Sequence, residues 1–380
     1  MVPFKIGHFS VGSVEDPVFI IAEIGQNHQG CIETAKKLIK AAKKVGCNCV
    51  KFQKSCLSDK FTKSALDRSY SGKNSFGNTY GEHKAFLEFS LKQHILLKQY
   101  CKNLDIFFSV SAMDEVSLEE IVSLKLPFIK IGSGDANNFK LLEKAAQLRT
   151  PVIISTGMQT MATIKTIIQI MEKSNKTNFA LMHCISSYPT KPEDCKLLTI
   201  QLLQNKFPNV LIGYSGHEVS PYISESAILL GAKIIERHLT LDKMQKGSDH
   251  SCSLTPMEFE SLVKTIRSYE HAKMLQIPKS TRFIINHFND DENVRKSLEK
   301  ICGRKILNCE QACRKKLGKS LVTAKVIFKG EMLTQDKLNV KVSQPLGVVA
   351  ERLWDCVGQF VNKDLSKDTP LQCNDIIGFV

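Results

Sequence analysis

Residues able to do chemistry recur at one kind of place in this chain, the C-terminal end of a short apolar run. "FIIAEIGQNHQG" (19–30) carries Glu23 and ends in Gln26, Asn27 and His28; "VKFQK" carries Lys51 and Gln53, and "FFSVS" Ser109 and Ser111. "FIKIGSGDANNF" supplies Lys130, Ser133 and Asp135, "ISTGM" Ser155 and Thr156, and "HCISSYPT" His183, Ser186 and Tyr188. "IGYSGHE" brings Ser215, His217 and Glu218, and "IIERHLTLDK" brings Glu236, Arg237 and His238, with Asp249 and His250 following in "KGSDHSCSL". Charges buried without partners are costly, so such a set must meet at a common site. Two lysines with several hydroxyls suit a phosphate or carboxylate; Ser133 and the N–H groups beside it could add to that anion site. His217 and His238, with water and substrate, could hold Mn²⁺, Mg²⁺ or Zn²⁺ at an open position, although two histidines alone leave the metal undecided. His183 lies inside an apolar run and reads as a core histidine. "GSGDAN" (132–137) imitates a dinucleotide loop, but Asn137 stands at the third position and no acidic partner follows, so that reading is set aside.

The elements that must position these residues are strands. Apolar runs at 18–25, 47–53, 105–111, 128–133, 151–156, 179–184, 210–216 and 233–239 are β-branched or aromatic and of strand length. Helical spacing separates them: in "ETAKKLIKAAKKVG", Ala35, Leu38, Ile39, Ala42 and Val45 fall on one face. Continuously apolar strands alternating with helices predict a parallel sheet covered on both faces. Eight units ending in a helix over 256–273 predict a (β/α)8 TIM barrel over 1–279, with an open doubly wound sheet as the alternative. One interval, 54–90, is long, polar and Gly-rich before a helix near 91–103, and would lie over the mouth of the barrel. Residues 280–317 read as a charged linker with a short helix at 291–302, and 318–380 as a small mostly-β module, helical only near 334–338.

Composition narrows the functional classes. Of 380 residues, 43% are hydrophobic and 24% charged, an ordinary globular balance. The net charge of +14 admits nucleic acid, an anionic membrane or anionic substrates as partners. The basic residues are scattered and no nucleic-acid motif is present, so small anions are preferred; neither nucleic acid nor membrane is expected as a partner. The start lacks the pattern of a signal peptide, and thirteen cysteines in a chain of this size read as free thiols, so a cytoplasmic location is expected.

Taken together, "FIIAEIGQNHQG", "VKFQK", "FIKIGSGDANNF", "ISTGM", "SSYPT", "IGYSGHE", "IIERHLTLDK" and "KGSDHSCSL" resemble the sialic acid synthase family over nearly the whole chain, most closely its animal members. The final module resembles the antifreeze-like (SAF, β-clip) domain of that family, while 280–305 is longer and more charged than the family pattern. The resemblance implies condensation of phosphoenolpyruvate with N-acetylmannosamine 6-phosphate and water, giving N-acetylneuraminate 9-phosphate and phosphate, with divalent Mn²⁺ or Mg²⁺ as cofactor. It implies metal binding by His217 and His238. Lys51, Lys130, Ser133, Ser155 and Ser215 would bind phosphoenolpyruvate; Glu23 and Asp135 would flank the reacting carbons; Gln53, Tyr188 and Asp249 would orient the sugar. Ser111 and Ser186 join these as strand-end groups. A basic residue of "CRKKLGKSLV", Lys319 by position with Arg314 as the alternative, would reach the sugar site of a partner in a domain-swapped homodimer. A synthase for the unphosphorylated sugar and a Schiff-base aldolase using Lys130 stand as alternatives.

Overall fold

The computed structural model describes residues 2–379. A short antiparallel hairpin, β1 (Phe4–Ile6) and β2 (Phe9–Val11), opens the chain. Eight parallel strands follow: β3 (Phe19–Gly25), β4 (Cys49–Lys54), β5 (Phe107–Ala112), β6 (Ile129–Ile131), β7 (Val152–Ser155), β8 (Phe179–Cys184), β9 (Leu211–Gly216) and β10 (Ile234–His238). They close into a barrel in sequence order, β10 pairing with β3, which settles the choice against an open sheet.

The strands are buried along nearly their whole length, with only Gln53 and Phe107 part-exposed, because both faces are covered. Residues pointing outward, such as Ile20, Ala22, Val50, Val110, Ile154, Ile212 and Ile235, pack under the helices in the main core. The helix Ile32–Lys44 illustrates why the sequence folds so: Ala35, Leu38, Ile39 and Ala42 form its buried stripe. Residues pointing inward form a separate core of Phe19, Ile21, Cys49, Phe128, Ile153, Ala180, Met182, Leu211 and Ile234. Phe4, Ile6 and Val11 of the hairpin join that inner core, so β1 and β2 plug the N-terminal end of the barrel.

The 54–90 interval is not a bare loop. It holds the helices Leu57–Lys60, Lys63–Asp67 and Tyr80–Leu87, the last opened by a Thr79–Glu82 capping box. Phe61, Ala65 and Tyr80 pack with Val342 of the C-terminal module, which gives the segment a small core of its own. The helices Pro256–His271 and Leu91–Asn103 occupy the expected positions.

Residues 280–317 contain three helices, Thr281–His287, Glu292–Ser297 and Gln311–Leu317. The C-terminal module builds an independent core from Leu321, Ile327, Leu333, Leu338, Val340, Leu353, Val361 and Leu371 around the antiparallel pair β11 (Lys319–Thr323) and β12 (Leu338–Val342). It rests on the barrel of its own chain through Thr62 N–H to Val342 O (3.0 Å), Lys341 Nζ to Ser58 O (2.7 Å) and Lys140 Nζ to Leu338 O (2.8 Å). All thirteen cysteines are free. Among the described residues no helix is long and apolar enough to cross a membrane.

Candidate active site

The inward-facing rows do not stop at the apolar core. Counting by twos along each strand, Phe19 and Ile21 lead to Glu23, Cys49 to Lys51 and Gln53, and Phe107 to Ser109 and Ser111. Phe128 leads likewise to Lys130, Ile153 to Ser155, Leu211 to Ser215, and Ile234 to Glu236 and His238. Strand pairing brings the row into register, with Glu23 opposite Lys51 and His238, Ser111 opposite Lys130, and Glu236 opposite Ser215. The result is a polar floor at the C-terminal mouth, beneath a cavity of about 630 Å³.

The floor is a charge network in near-complete burial. Lys51 Nζ sits 2.5 Å from Glu23 Oε2 and 3.8 Å from Glu236 Oε1, and donates to Ser111 Oγ at 2.8 Å. Lys130 Nζ donates to Ser155 Oγ at 2.6 Å and lies 3.6 Å from Glu236. Gln53 Nε2 donates to Glu23 Oε1 at 2.8 Å, and Ser215 Oγ to Glu236 Oε1 at 3.2 Å. The two carboxylates diverge in acidity. Burial, reinforced by Glu236, raises Glu23 to about 7 despite the pull of Lys51. Burial acts on Glu236 in the same direction, but Lys130, Lys51 and His238 outweigh it and lower its pKa to about 2. Glu236 is thus the fixed anion between two cations, while Glu23 is poised to exchange a proton near neutrality.

Gly25 explains the turn that ends β3. Its φ is +54°, and an added Cβ would stand 3.0 Å from Glu23 Oε1 and 3.2 Å from Gln53 Nε2. Glycine therefore satisfies both the left-handed backbone and the close approach of the Glu23–Gln53 pair. His28 faces away from this chemistry: it stacks on Phe89 at 3.9 Å and accepts from Gly30 N–H at 3.0 Å, so it holds the turn.

At the same mouth lie the two imidazoles, 5.6 Å apart between ring centroids, with Tyr188 4.1 Å from His217. His217 donates from Nδ1 to Ile185 O at 2.8 Å, which keeps its Nε2 as an acceptor; His238 Nδ1 is buried without a partner. Burial and mutual repulsion lower His217 to about 4, and burial lowers His238 as well, so both rings are neutral. Neutral imidazoles with free lone pairs fit a divalent ion completed by water and substrate. Among the described residues no group of three metal-capable side chains is assembled. His183 is the core histidine expected, with Nε2 2.8 Å from Cys195 O on the outer face of β8.

The cavity wall includes Ser133, Asp135, Ser186, Tyr188, Ser215 and Asp249 along with the floor residues. Ser133 and Ser186 share a 2.9 Å hydrogen bond. Lys319 differs. It lines a smaller adjoining cavity of about 290 Å³ and meets the main one through Asp135, 3.0 Å from its amine, in the same chain. The resemblance implied a lysine arriving from a partner subunit, whereas here it arrives from its own C-terminal module.

Sequence reasoning names Glu236 among the strand-end groups but assigns it no role, although its parity with His238 in "IIERH" is a usable signal. It also passed over Lys60, Tyr80, Lys84 and Lys316, which line the outer cavity from the 54–90 segment and the helix Gln311–Leu317. No local pattern marks these, because only the tertiary fold brings them together.

Comparison with known proteins agrees with the geometry. The NeuB family model matches residues 38–276. The Drosophila melanogaster protein named N-acetylneuraminate-9-phosphate synthase is 54% identical over 96% of this chain and 98% of its own length. The human protein of the same name is 46% identical over 93% of this chain and 91% of its own. Among solved structures, the Bacillus subtilis spore coat polysaccharide biosynthesis protein SpsE has a TM-score of 0.79 at 28% identity, covering 99% of both chains. The N-acetylneuraminic acid synthetase of Leptospira borgpetersenii, in complex with citrate, has a TM-score of 0.63 at 32% identity, covering 76% of this chain and 96% of its own.

Proposed function

The chain belongs to the NeuB family, and from that premise we propose that its barrel mouth condenses phosphoenolpyruvate with N-acetylmannosamine 6-phosphate and water to give N-acetylneuraminate 9-phosphate and phosphate. The observation that carries the reading is one cavity at the barrel mouth with a Lys51–Glu236–Lys130 floor, a carboxyl tuned to about 7 beside it and two neutral histidines on its wall.

Phosphoenolpyruvate is doubly anionic at its reacting end, and Lys51 and Lys130 with Ser111, Ser155 and Ser215 offer cations and hydroxyls for it. Its C3 forms a bond to the sugar aldehyde carbon as the enol π pair moves, leaving positive charge at C2. Water adds to C2, Glu23 accepts one of its protons, and the C2–O bond to phosphate breaks as the C2 carbonyl forms. Of the two protons brought by water, one ends on the former aldehyde oxygen and the other on phosphate. Glu23, when ionised, both faces the cation and receives the proton. A divalent Mn²⁺ or Mg²⁺ held by His217 and His238 would supply Lewis acidity toward the aldehyde. Tyr188 and Asp249 orient the sugar, and Asp135, tied to Lys319, closes the wall beside it.

The direct test is phosphate release from phosphoenolpyruvate with the 6-phosphate sugar, with and without EDTA. Release that depends on the sugar and is lost in EDTA is expected. Calorimetric titration with Mn²⁺ is expected to show binding to the wild type and none to His217→Ala or His238→Ala; unchanged binding in either variant removes that residue as a ligand.

A Schiff-base aldolase is the second reading, favoured by one observation: burial lowers the Lys130 amine below its ordinary value, as a nucleophilic lysine requires. The Glu236 and Ser155 contacts argue instead for a held cation. Borohydride is expected to trap no pyruvate adduct on Lys130, and a trapped adduct would decide for the aldolase.

The swapped homodimer belongs to the same proposal. It would exchange the module that here donates Lys319 in cis, and light scattering of the purified chain reads it out directly. A cytoplasmic location accords with the free thiols.

A further inference from the structure

The outer half of the cavity carries a second set of cations, unlike those of the floor. Lys84, on the helix Tyr80–Leu87, donates to Gln26 Oε1 at 3.1 Å and lies 5.6 Å from the centre of the Tyr80 ring. Lys316, from the helix Gln311–Leu317, lies 5.6 Å from the same ring and donates to Tyr70 Oη at 3.4 Å. Tyr80 is fully buried between them, yet its hydroxyl has no hydrogen-bond partner. Lys60, also buried, directs its amine to Met113 Sδ at 2.8 Å. Every lysine of the floor has a carboxylate within ion-pair distance, whereas among the described residues Lys60, Lys84 and Lys316 have none.

Converging amines with an orphaned hydroxyl are an arrangement completed by an anion. Burial and Lys316 push Lys84 down to about 8, with Asp249 pulling the other way. Asp249 lines the same cavity and also feels His238, so its charge acts on both the imidazoles and these amines. The phosphate of phosphoenolpyruvate cannot serve here, because it is bonded to the carbon that must sit beside Glu23 and the floor lysines.

We propose that Lys84, Lys316 and Tyr80 form a second phosphate subsite, which takes a phosphate monoester at the end of the sugar remote from its aldehyde. The inference rests on the condensation proposed above and deepens it: the imidazoles face the aldehyde, Asp249 the middle of the chain, and the outer amines its phosphorylated terminus. It makes the choice of phosphorylated over free sugar a property of the segment after β4 and of the helix before β11.

Steady-state phosphate release is measured with N-acetylmannosamine 6-phosphate and with N-acetylmannosamine, for the wild type, Lys84→Ala, Lys84→Arg and Lys316→Met. The wild type is expected to prefer the phosphorylated sugar. Each charge-removing variant is expected to lower that preference, as a ratio of kcat/KM values, by about tenfold to a hundredfold, the scale of a hydrogen bond to a charged group. The KM for phosphoenolpyruvate is expected to hold, and Lys84→Arg to recover most of the preference. Lys316→Met lies on a separate element, so misfolding of one variant leaves the other informative. A wild type indifferent to the phosphate, or variants that weaken both sugars equally, overturn the subsite while leaving the condensation standing. No phosphate release with either sugar overturns the condensation itself, and the subsite with it.

Discussion

Glu23→Gln is expected to lower kcat by roughly 10²–10⁴-fold, the range of a positioned proton-transfer group. The substitution keeps the shape of the side chain, so Gln53 retains a partner and Gly25 its close approach. Lys51 keeps Ser111 and Glu236, so the anion floor survives and phosphoenolpyruvate binding, read by calorimetry, is expected to change little. The lost functions are the negative charge facing C2 and the oxygen that accepts a proton from water. The pH dependence carries a sign that separates this role from a structural one. Burial raises Glu23 to about 7, and a base works in its ionised form, so kcat/KM of the wild type is expected to fall as pH drops through 7. Glu236, lowered to about 2, contributes no limb in that range. The residual activity of Glu23→Gln is expected to lack the limb near 7. Normal turnover in the variant, or an unchanged acid limb, would show that another group takes the proton.

Much of this site is legible because a barrel strand obeys a period of two. Once "FIIAEIG" is a strand, the face that presents Phe19 and Ile21 to the inner core must present Glu23 at its end, and the same count delivers Lys51, Lys130 and His238. Glu236 obeys that rule too: its parity with His238 sets it in the inner row and separates it from its neighbour Arg237. Arg237 faces outward and pairs with Glu218 at 2.9 Å under the helices. The hairpin Phe4–Val11 went unread because three-residue strands carry too little periodicity to register. The outer lysines were illegible for a different reason. Lys84 and Lys316 stand more than two hundred positions apart and come together beside Tyr80 only in the folded chain. The origin of Lys319 was equally beyond sequence, since the same residue can reach Asp135 from its own chain or from another.

Glu310→Ala is expected to destabilise the protein by about 3–5 kcal/mol, the cost of breaking a buried ion pair by removing one partner. Glu310 is fully buried and receives both terminal nitrogens of Arg304, at 3.0 and 3.1 Å. It also accepts the backbone N–H groups of Met158 (2.7 Å), Ser186 (3.2 Å) and Leu307 (2.9 Å). One carboxylate thus pins the segment before the last module to the loops after β7 and β8, the second of which carries Ser186 and Tyr188 into the cavity. Its loss strands the Arg304 cation and leaves three backbone donors unmet, two of them buried, so urea denaturation is expected to show a lower midpoint. Replacing both partners, Arg304→Met with Glu310→Leu, removes the stranded charge and is expected to recover part of the loss. The pH dependence follows with its own sign. Burial raises Glu310, but Arg304 outweighs it and holds the group below its ordinary value. A depressed carboxylate stabilises the fold above its unfolded pKa, and that contribution disappears as pH falls through the depressed value. The wild type is therefore expected to lose stability in acid more steeply than the double variant. Because the loops move with the pin, KM for phosphoenolpyruvate is expected to rise in Glu310→Ala under conditions where the variant remains folded. A loss below about 1 kcal/mol would mean that the helix Gln311–Leu317 stays docked without its anchor, and Lys316 would then owe its place beside Tyr80 to other contacts.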